Sequence, residues 1–407
     1  MNKRFILFMI IIVVFNLFTG CTKGKTDELP GKIIPLPTVP EKDPIEEQIK
    51  LMSLDEKLGQ MVLVGLNGYV VDNDARQMIE SYHVGGFILY GSNVESQEQL
   101  LALTNSLKSI NAASKLPLLI SVDEEGGRIS RMPKELKNIP TNKEIGKLNN
   151  QEFSYKIGEL LAEEIKAFGF NMNFAPVLDI NSNPKNPVIG DRAFGSDEKV
   201  VSDLGVQTMK GIEASGVIPV VKHFPGHGDT SVDSHVGLPS VDNDLERLKS
   251  FELIPFVNAI ENGADVVMAA HILMLKIDGE NPATMSKTII TDILREQMNF
   301  DGVVITDDMT MGAIVENYEI GAASVKSVEA GSDIILVAHG HDNALAVLKK
   351  MKEAVEQGLV SEERINQSVY RILKLKQKYN LKDEEIQPVN IDKLNSRIVN
   401  VLDSYLK

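Results

Sequence analysis

The chain has almost no cysteine: Cys21 is the only one in 407 residues, so no internal disulfide can form. It also lacks an excess of positive charge. The formal net charge is −15, and without a basic footprint the sequence argues against a nucleic-acid partner. Long apolar runs are missing apart from the stretch Phe5 to Phe18, which is short for the ~20 residues of a membrane-spanning helix. No internal repeat is visible, and no low-complexity segment beyond a proline-spaced stretch near the N-terminus. The remainder, 43% hydrophobic and 24% charged, has the composition of a globular protein. It is long enough for one large domain or two ordinary ones.

The first residues read as a targeting segment. Lys3-Arg4 precedes the apolar stretch, and Thr19-Gly20-Cys21 closes it with small residues. A lone cysteine directly after Gly20 resembles the lipobox of bacterial lipoproteins, in which the cysteine is acylated and becomes the mature N-terminus. That resemblance implies a signal peptide over 1–20, a lipid on Cys21 and a body anchored to the outer side of the cytoplasmic membrane. An uncleaved anchor helix is the alternative. Residues 21–44 carry Pro30, Pro35, Pro37, Pro40 and Pro44, a density that keeps a tether extended.

From Ile45 the chain alternates β-rich runs with amphipathic helical stretches. Ser53-Leu54-Asp55-Glu56 is a capping box. Eight candidate strands follow: Met61–Gly65, Gly86–Tyr90, Leu118–Val122, Asn173–Leu178, Ile218–Lys222, Asp265–Ala269, Val303–Thr306 and Asp333–Val337. Helical periodicity fills segments between them, including Ser96–Ile110, Ser154–Phe168, Leu245–Asn262 and Ala344–Gln357. The strands are near-continuous Val/Ile/Leu runs, the mark of parallel strands covered on both faces. Eight strand–helix units predict an α/β fold of the (β/α)8 barrel type over residues 45–380, with a doubly wound sheet as the alternative. Residues 381–407 read as a charged helical tail on the outside of the barrel.

Polar clusters fall just after the strands: Asp123-Glu124-Glu125, Asp179, His223, His271, Asp307-Asp308 and His339. In a barrel of this type that rim holds the active site. The densest segment runs from Lys222-His223-Phe224-Pro225-Gly226-His227-Gly228-Asp229-Thr230 to Asp233-Ser234-His235. So many groups needing partners bury poorly, which points to chemistry. Asp307 is placed to act as a nucleophile or electrostatic stabiliser; capping a helix near Thr310 is the structural alternative, assigned to Asp308. Asp233 beside His235 suits a general acid/base whose tautomer is fixed by a carboxylate, unless the two simply pair in a solvated loop. Gly226 and Gly228 are read as giving that loop freedom to move. Asp123, Arg131, Arg192, Lys222 and His223 read as hydrogen-bonding groups for vicinal hydroxyls. A metal held by His223, His227, Asp233 and His235 is a competing reading, weakened because Pro225, Gly226 and Gly228 oppose a helix there.

The segments Asp123–Arg131, Asn186–Gly195, Lys222–His235 and Val303–Asp308 resemble the motif series of glycoside hydrolase family 3, specifically its β-N-acetylglucosaminidases. The resemblance spans Ile45 to Tyr379, and the Asp-Ser-His element is its most specific part. It implies exo-acting, configuration-retaining removal of terminal β-linked N-acetylglucosamine by a barrel that needs no metal or cofactor. Asp307 matches the nucleophile, His235 the acid/base and Asp233 its partner. Asp123, Arg131, Arg192, Lys222 and His223 match sugar-binding positions. Other members take an acid/base Glu from a second domain, which this chain is expected to lack. Location and family together make muropeptides or GlcNAc–MurNAc fragments the expected partners, acted on by a monomer. A β-glucosidase, a phosphorylase using the same site, and a sugar-binding lipoprotein are the alternatives.

Overall fold

Eight of the apolar runs pair into one parallel sheet whose order follows the chain. The computed structural model describes residues 42–235 and 237–406. The signal-peptide segment 1–20, Cys21 and nearly all of the tether lie outside the described residues. The strands are β1 (Val62–Gly65), β2 (Gly86–Leu89), β3 (Leu119–Val122), β4 (Met172–Asn173), β5 (Ile218–Phe224), β6 (Ser240–Val241), β7 (Val266–Ala269), β8 (Leu273–Met274), β9 (Val303–Thr306) and β10 (Ile335–Val337). The main sheet runs β10-β1-β2-β3-β4-β5-β7-β9, and β6 pairs with β8 beside it.

The sheet closes on itself. The amides of Asp333 and Ile334 both donate to the Val304 carbonyl, at 2.7 and 3.0 Å, and the Thr306 amide donates to Ile334 at 3.0 Å. On its other edge β10 pairs with β1, Val62 opposite Ile335. This is a (β/α)8 barrel, with strands buried on both faces, as their unbroken aliphatic runs require.

Two expectations need correction. The fourth strand is only Met172–Asn173, because Pro176 has no N–H to offer the ladder. Beyond it the chain stays bonded to β5 outside a regular ladder: the Val220 amide donates to Ala175 at 3.0 Å, the Lys222 amide to Pro176 at 3.2 Å and the Leu178 amide to Lys222 at 2.6 Å, around a Val177–Lys222 bridge. The stretch Leu245–Asn262 is two helices, Leu245–Ser250 and Ile254–Glu261, with Pro255 in the first turn of the second. Proline is tolerated there because that N–H has no helical partner. The Ser53–Glu56 capping box is present, with both reciprocal bonds made.

Helices 151–166 and 198–214 cross closely because Gly158 and Gly211 meet: a Cβ on Gly158 would lie 2.2 Å from the Thr208 carbonyl. The final helix, Ile391–Tyr405, lies against 151–166, burying Ile398 and stacking Tyr405 on Phe153 at 4.9 Å.

Below the barrel's closing seam, buried Asp333 accepts from Arg295 at 2.5 Å, Ser368 at 2.7 Å, Arg371 at 3.4 Å and the Val304 amide at 3.0 Å. Burial pushes its carboxyl up, but the guanidinium groups of Arg295, Arg364 and Arg371 outweigh that and hold it below the usual aspartate value. Its contribution is therefore fully present above the unfolded-state value of ~4 and fades only as pH falls through the depressed one. Asp333→Ala strands buried cations. It is expected to lower the unfolding free energy by ~3–5 kcal/mol in urea titrations at pH 7, and by a similar amount at pH 5.

Candidate active site

Successive side chains leave a strand on opposite faces, and the run after β3 shows it. Asp123 faces a cavity of about 280 Å3 at the C-terminal end of the barrel. Glu125 also turns inward, while Glu124 between them is buried away from the cavity. The cavity is lined by Tyr90, Asp123, Arg131, Arg192, Lys222, His223, His227, Ser234, His235, Asp307, Asp308 and His339, with Ile129, Phe174, Val188, Met268, Met311 and Leu336 as its apolar wall. All the predicted substrate-binding residues are therefore brought together, along with Asp307 and His235.

The strand β5 changes register against β7 between Val221 and Phe224. Such a bulge lets neighbouring residues face the same side, and Lys222 and His223 both reach the cavity. Lys222 donates to Asp123 at 2.5 Å and to Glu125 at 2.7 Å. Arg192 grips Glu125 with two bonds, Nε at 2.9 Å and Nη2 at 2.7 Å. Burial pushes the Glu125 carboxyl up, but those two cations overcome this and keep it far below the usual range. His223 Nδ1 lies 2.6 Å from Asp179, and its Nε2 faces the Arg192 donor at 3.4 Å. These partners select the tautomer protonated on Nδ1. Asp179, fully buried, also accepts from the His227 amide at 2.6 Å. Glu125 and Asp179 were placed on the rim by the sequence but given no individual role there. The alternation of an Asp-Glu-Glu run at a strand end was the signal for Glu125.

Asp307 follows β9 and is partly buried. Among the described residues its carboxylate accepts one hydrogen bond, from the Asp308 amide at 2.8 Å. Burial pushes its carboxyl up; the imidazoles of His271 and His223 and the Asp308 amide more than offset this and hold it below the ordinary value. Asp308 does not cap a helix at Thr310, since the next helix begins at Gly312. It instead accepts from the Thr310 amide at 2.9 Å and hydroxyl at 2.6 Å, and from the Ala338 amide at 2.9 Å, pinning β9 to β10. His271 lies between the Thr284 hydroxyl at 2.8 Å and the Asp308 carbonyl at 3.0 Å. Burial pushes its pKa below the ordinary imidazole value, and Nε2 donates to that carbonyl, which can only accept.

His235 belongs to a loop that stands over the cavity, with its side chain 67% exposed. Its Nδ1 and its amide both meet Asp233 Oδ1 at 2.8 Å. Asp233 is pushed up by burial but held lower overall by those bonds. The loop's glycines are packed rather than free. A Cβ on Gly228 would lie 1.7 Å from the Ile180 carbonyl, and Gly226 has a φ of 130°. His227 anchors the loop from beneath through Thr230 at 2.7 Å and Ser234 at 3.3 Å. Burial lowers its pKa to about 4. Ser231 and Val232, at the tip, are exposed.

Residues 53–375 match the glycosyl hydrolase family 3 N-terminal domain. The chain belongs to glycosyl hydrolase family 3. It is 37% identical over 326 residues to a β-hexosaminidase A of Pseudoalteromonas piscicida, covering 74% of this chain and 54% of that protein. It is 34% identical to a β-hexosaminidase of Methylobacillus flagellatus, covering 72% and 84%. The chain thus spans about half of the first relative and most of the second. Among solved structures, a family 3 β-N-acetylglucosaminidase from Paenibacillus superposes with a TM-score of 0.82 at 40% identity, covering 87% of this chain and 69% of that one.

Glu125→Ala would leave Lys222 and Arg192 facing each other without their shared anion. Urea unfolding is expected to show a loss of ~3–5 kcal/mol, with Glu125→Gln, which keeps an acceptor, losing less.

Proposed function

We propose that this chain is an exo-acting, retaining β-N-acetylhexosaminidase in which Asp307 is the nucleophile and His235, oriented by Asp233, is the acid/base. One observation carries the reading. Asp307 is the cavity carboxylate with the least protein compensation: Asp123 has Lys222 and Asp308 has three donors, whereas Asp307 has one amide. An ionised oxygen so exposed to a cavity is suited to an electron-poor anomeric carbon. The cavity volume, at the lower edge of the ~300–1,000 Å3 of small-molecule sites, suits one terminal sugar unit. The named relatives support the hexosaminide class.

In the first step an Asp307 oxygen bonds to the anomeric carbon. The bond to the aglycone oxygen breaks, and that oxygen takes the Nε2 proton of His235. Asp233, bonded to Nδ1–H, stabilises the imidazolium before this transfer. In the second step neutral Nε2 takes a proton from water, the water oxygen bonds to the anomeric carbon and the Asp307 carboxylate leaves. Two substitutions place the product on the original face. Asp123, Arg131, Arg192, Lys222 and His223 are the sugar-binding groups in this scheme.

The natural substrates we propose are muropeptides or GlcNAc–MurNAc fragments, met outside the cytoplasmic membrane by a protein anchored through lipid on Cys21. The support for this is the signal-like N-terminus and the family.

Asp307→Ala is expected to lower kcat on 4-nitrophenyl N-acetyl-β-glucosaminide by more than about 10³-fold. A fluorinated slow substrate should leave a covalent sugar on Asp307 in peptide mass spectra; an adduct elsewhere would refute the assignment. His235→Ala is expected to lose roughly 10²–10⁴-fold in kcat on natural disaccharides. The loss should be smaller on the nitrophenyl glycoside, whose leaving group needs little protonation.

A further inference from the structure

We propose that Tyr90, backed by the imidazole of His339, closes the far end of the cavity and hydrogen-bonds the sugar hydroxyl on C4, the ring carbon opposite the anomeric one. The inference rests on the proposed hexosaminidase reading, in which the anomeric carbon is held between Asp307 and His235.

Tyr90 follows β2, His339 follows β10, and both line the cavity. Between these strands runs β1, so close to β10 that a Cβ on Gly65 would lie 1.9 Å from the Ala338 carbonyl. The two rings meet across the end of β1, stacked with centroids 5.3 Å apart and planes inclined by 27°. The backbone under Tyr90 is fixed as well. Buried Asn93 accepts the Tyr90 amide at 2.8 Å and donates to the carbonyls of Leu66 at 3.0 Å and Gly68 at 2.8 Å, joining the loops after β1 and β2. A ring stacked on one face and tied at its backbone has little freedom to turn.

Those contacts use the amide and the ring face, and among the described residues no hydrogen bond reaches the Tyr90 hydroxyl. Burial, then the charges of Asp308, Asp123 and Asp307, push the phenol well above its ordinary value, so it keeps its proton. A sugar hydroxyl both donates and accepts, and a phenol can answer either way. The next residue sets Tyr90 beside a proposed sugar-binding cation, since a Cβ on Gly91 would lie 3.7 Å from Arg131 Cδ. Around the closed sheet β2 stands three strands from β5, which leads to His235, and three from β9, which leads to Asp307. In a ring of eight strands Tyr90 therefore faces both groups from across the cavity. A pyranose whose anomeric carbon lies at Asp307 turns C4 toward it. The oxygen on C4 is the one through which a 4-linked chain would continue, so a wall there admits only chain ends.

The test compares the wild type with Tyr90→Phe, His339→Ala and His339→Phe on 4-nitrophenyl N-acetyl-β-glucosaminide and its 3-, 4- and 6-deoxy analogues. Tyr90→Phe keeps the ring and removes an oxygen that binds no protein group, so its melting curve should match that of the wild type. On the parent substrate its KM should rise roughly 3- to 10-fold, the worth of one neutral hydrogen bond, with kcat within about twofold. On the 4-deoxy analogue the two enzymes should have equal kcat/KM, whereas on the 3- and 6-deoxy analogues the gap should persist. His339 is a positioning residue here, acting through Tyr90. His339→Ala should therefore raise KM less in the Tyr90→Phe background than in the wild type. His339→Phe, which restores a ring to the stack, should recover most of the lost affinity. An equal loss on all four substrates marks a purely structural role and overturns the proposal. So does a gap that closes on the 3- or 6-deoxy analogue instead, or a Tyr90→Phe enzyme indistinguishable from the wild type on the parent. A folded wild type that neither cleaves the parent substrate nor binds N-acetylglucosamine would instead sink the hexosaminidase reading, and this inference with it.

Discussion

The site depends on one carboxylate, Glu125, shared between Lys222 and Arg192. These groups come from three places in the chain: the end of β3, the end of β5 and the turn at 190–192. None would persist there alone, because a buried charge without a partner is far more costly than a paired one. Clamped together, they fix the cavity floor before any ligand arrives. The same arrangement repeats around the rim. Asp179 holds His223, Asp308 holds the ends of β9 and β10, and Asn173 holds the backbone at Glu124. Each tie spends a polar group that faces the core and leaves another facing the cavity, so rigidity and ligand-binding capacity come from the same bonds.

Much of this was legible in the sequence, for a physical reason. Parallel strands buried on both faces must be apolar along their whole length, so the runs ending at Val122, Val221 and Thr306 stood out, and the polar residues just beyond them marked the rim. The resemblance then named the roles. What stayed hidden was set by contacts between distant segments. Asp333 looked like the start of a strand, and only the folded chain shows Arg295, Arg364 and Arg371 converging on it. Gly228 read as a hinge because the Ile180 carbonyl that presses on it lies far off in sequence. Pro176 was visible, yet its effect on β4 depended on which neighbour the missing N–H would have served. Asp308 capped no helix because the turn it closes is finished by Ala338, on another strand.

The two proposed catalytic groups sit in unlike settings. Asp307 is fixed at the end of a barrel strand, where its amide bonds to the Ala269 carbonyl at 2.9 Å. His235 is on an exposed loop whose roots, at His227, Thr230 and Ser234, are tightly bonded. An attacking oxygen must be placed to a fraction of an ångström, whereas a proton carrier must serve an aglycone and then a water. Bonded roots beside an exposed imidazole fit that division. The packed glycines fit this division better than a loop flexible throughout.

The charge balance also gives a reason for an imidazole on that loop. Asp123, Asp307 and Asp308 already surround the cavity, and Lys222 and the rim amides satisfy the first and third. A glutamic acid brought over Asp307 would add an anion beside the one carboxylate left largely uncompensated. Each would raise the other's pKa, and the nucleophile would lose ionisation as the acid approached. An imidazole carries the proton without that conflict. In the proposed mechanism it would be a cation while it still has the proton to give, attracted by Asp307, and neutral afterwards, when a water could enter. Asp233, 2.8 Å from Nδ1, occupies that nitrogen, which leaves Nε2 for proton transfer in the proposed mechanism.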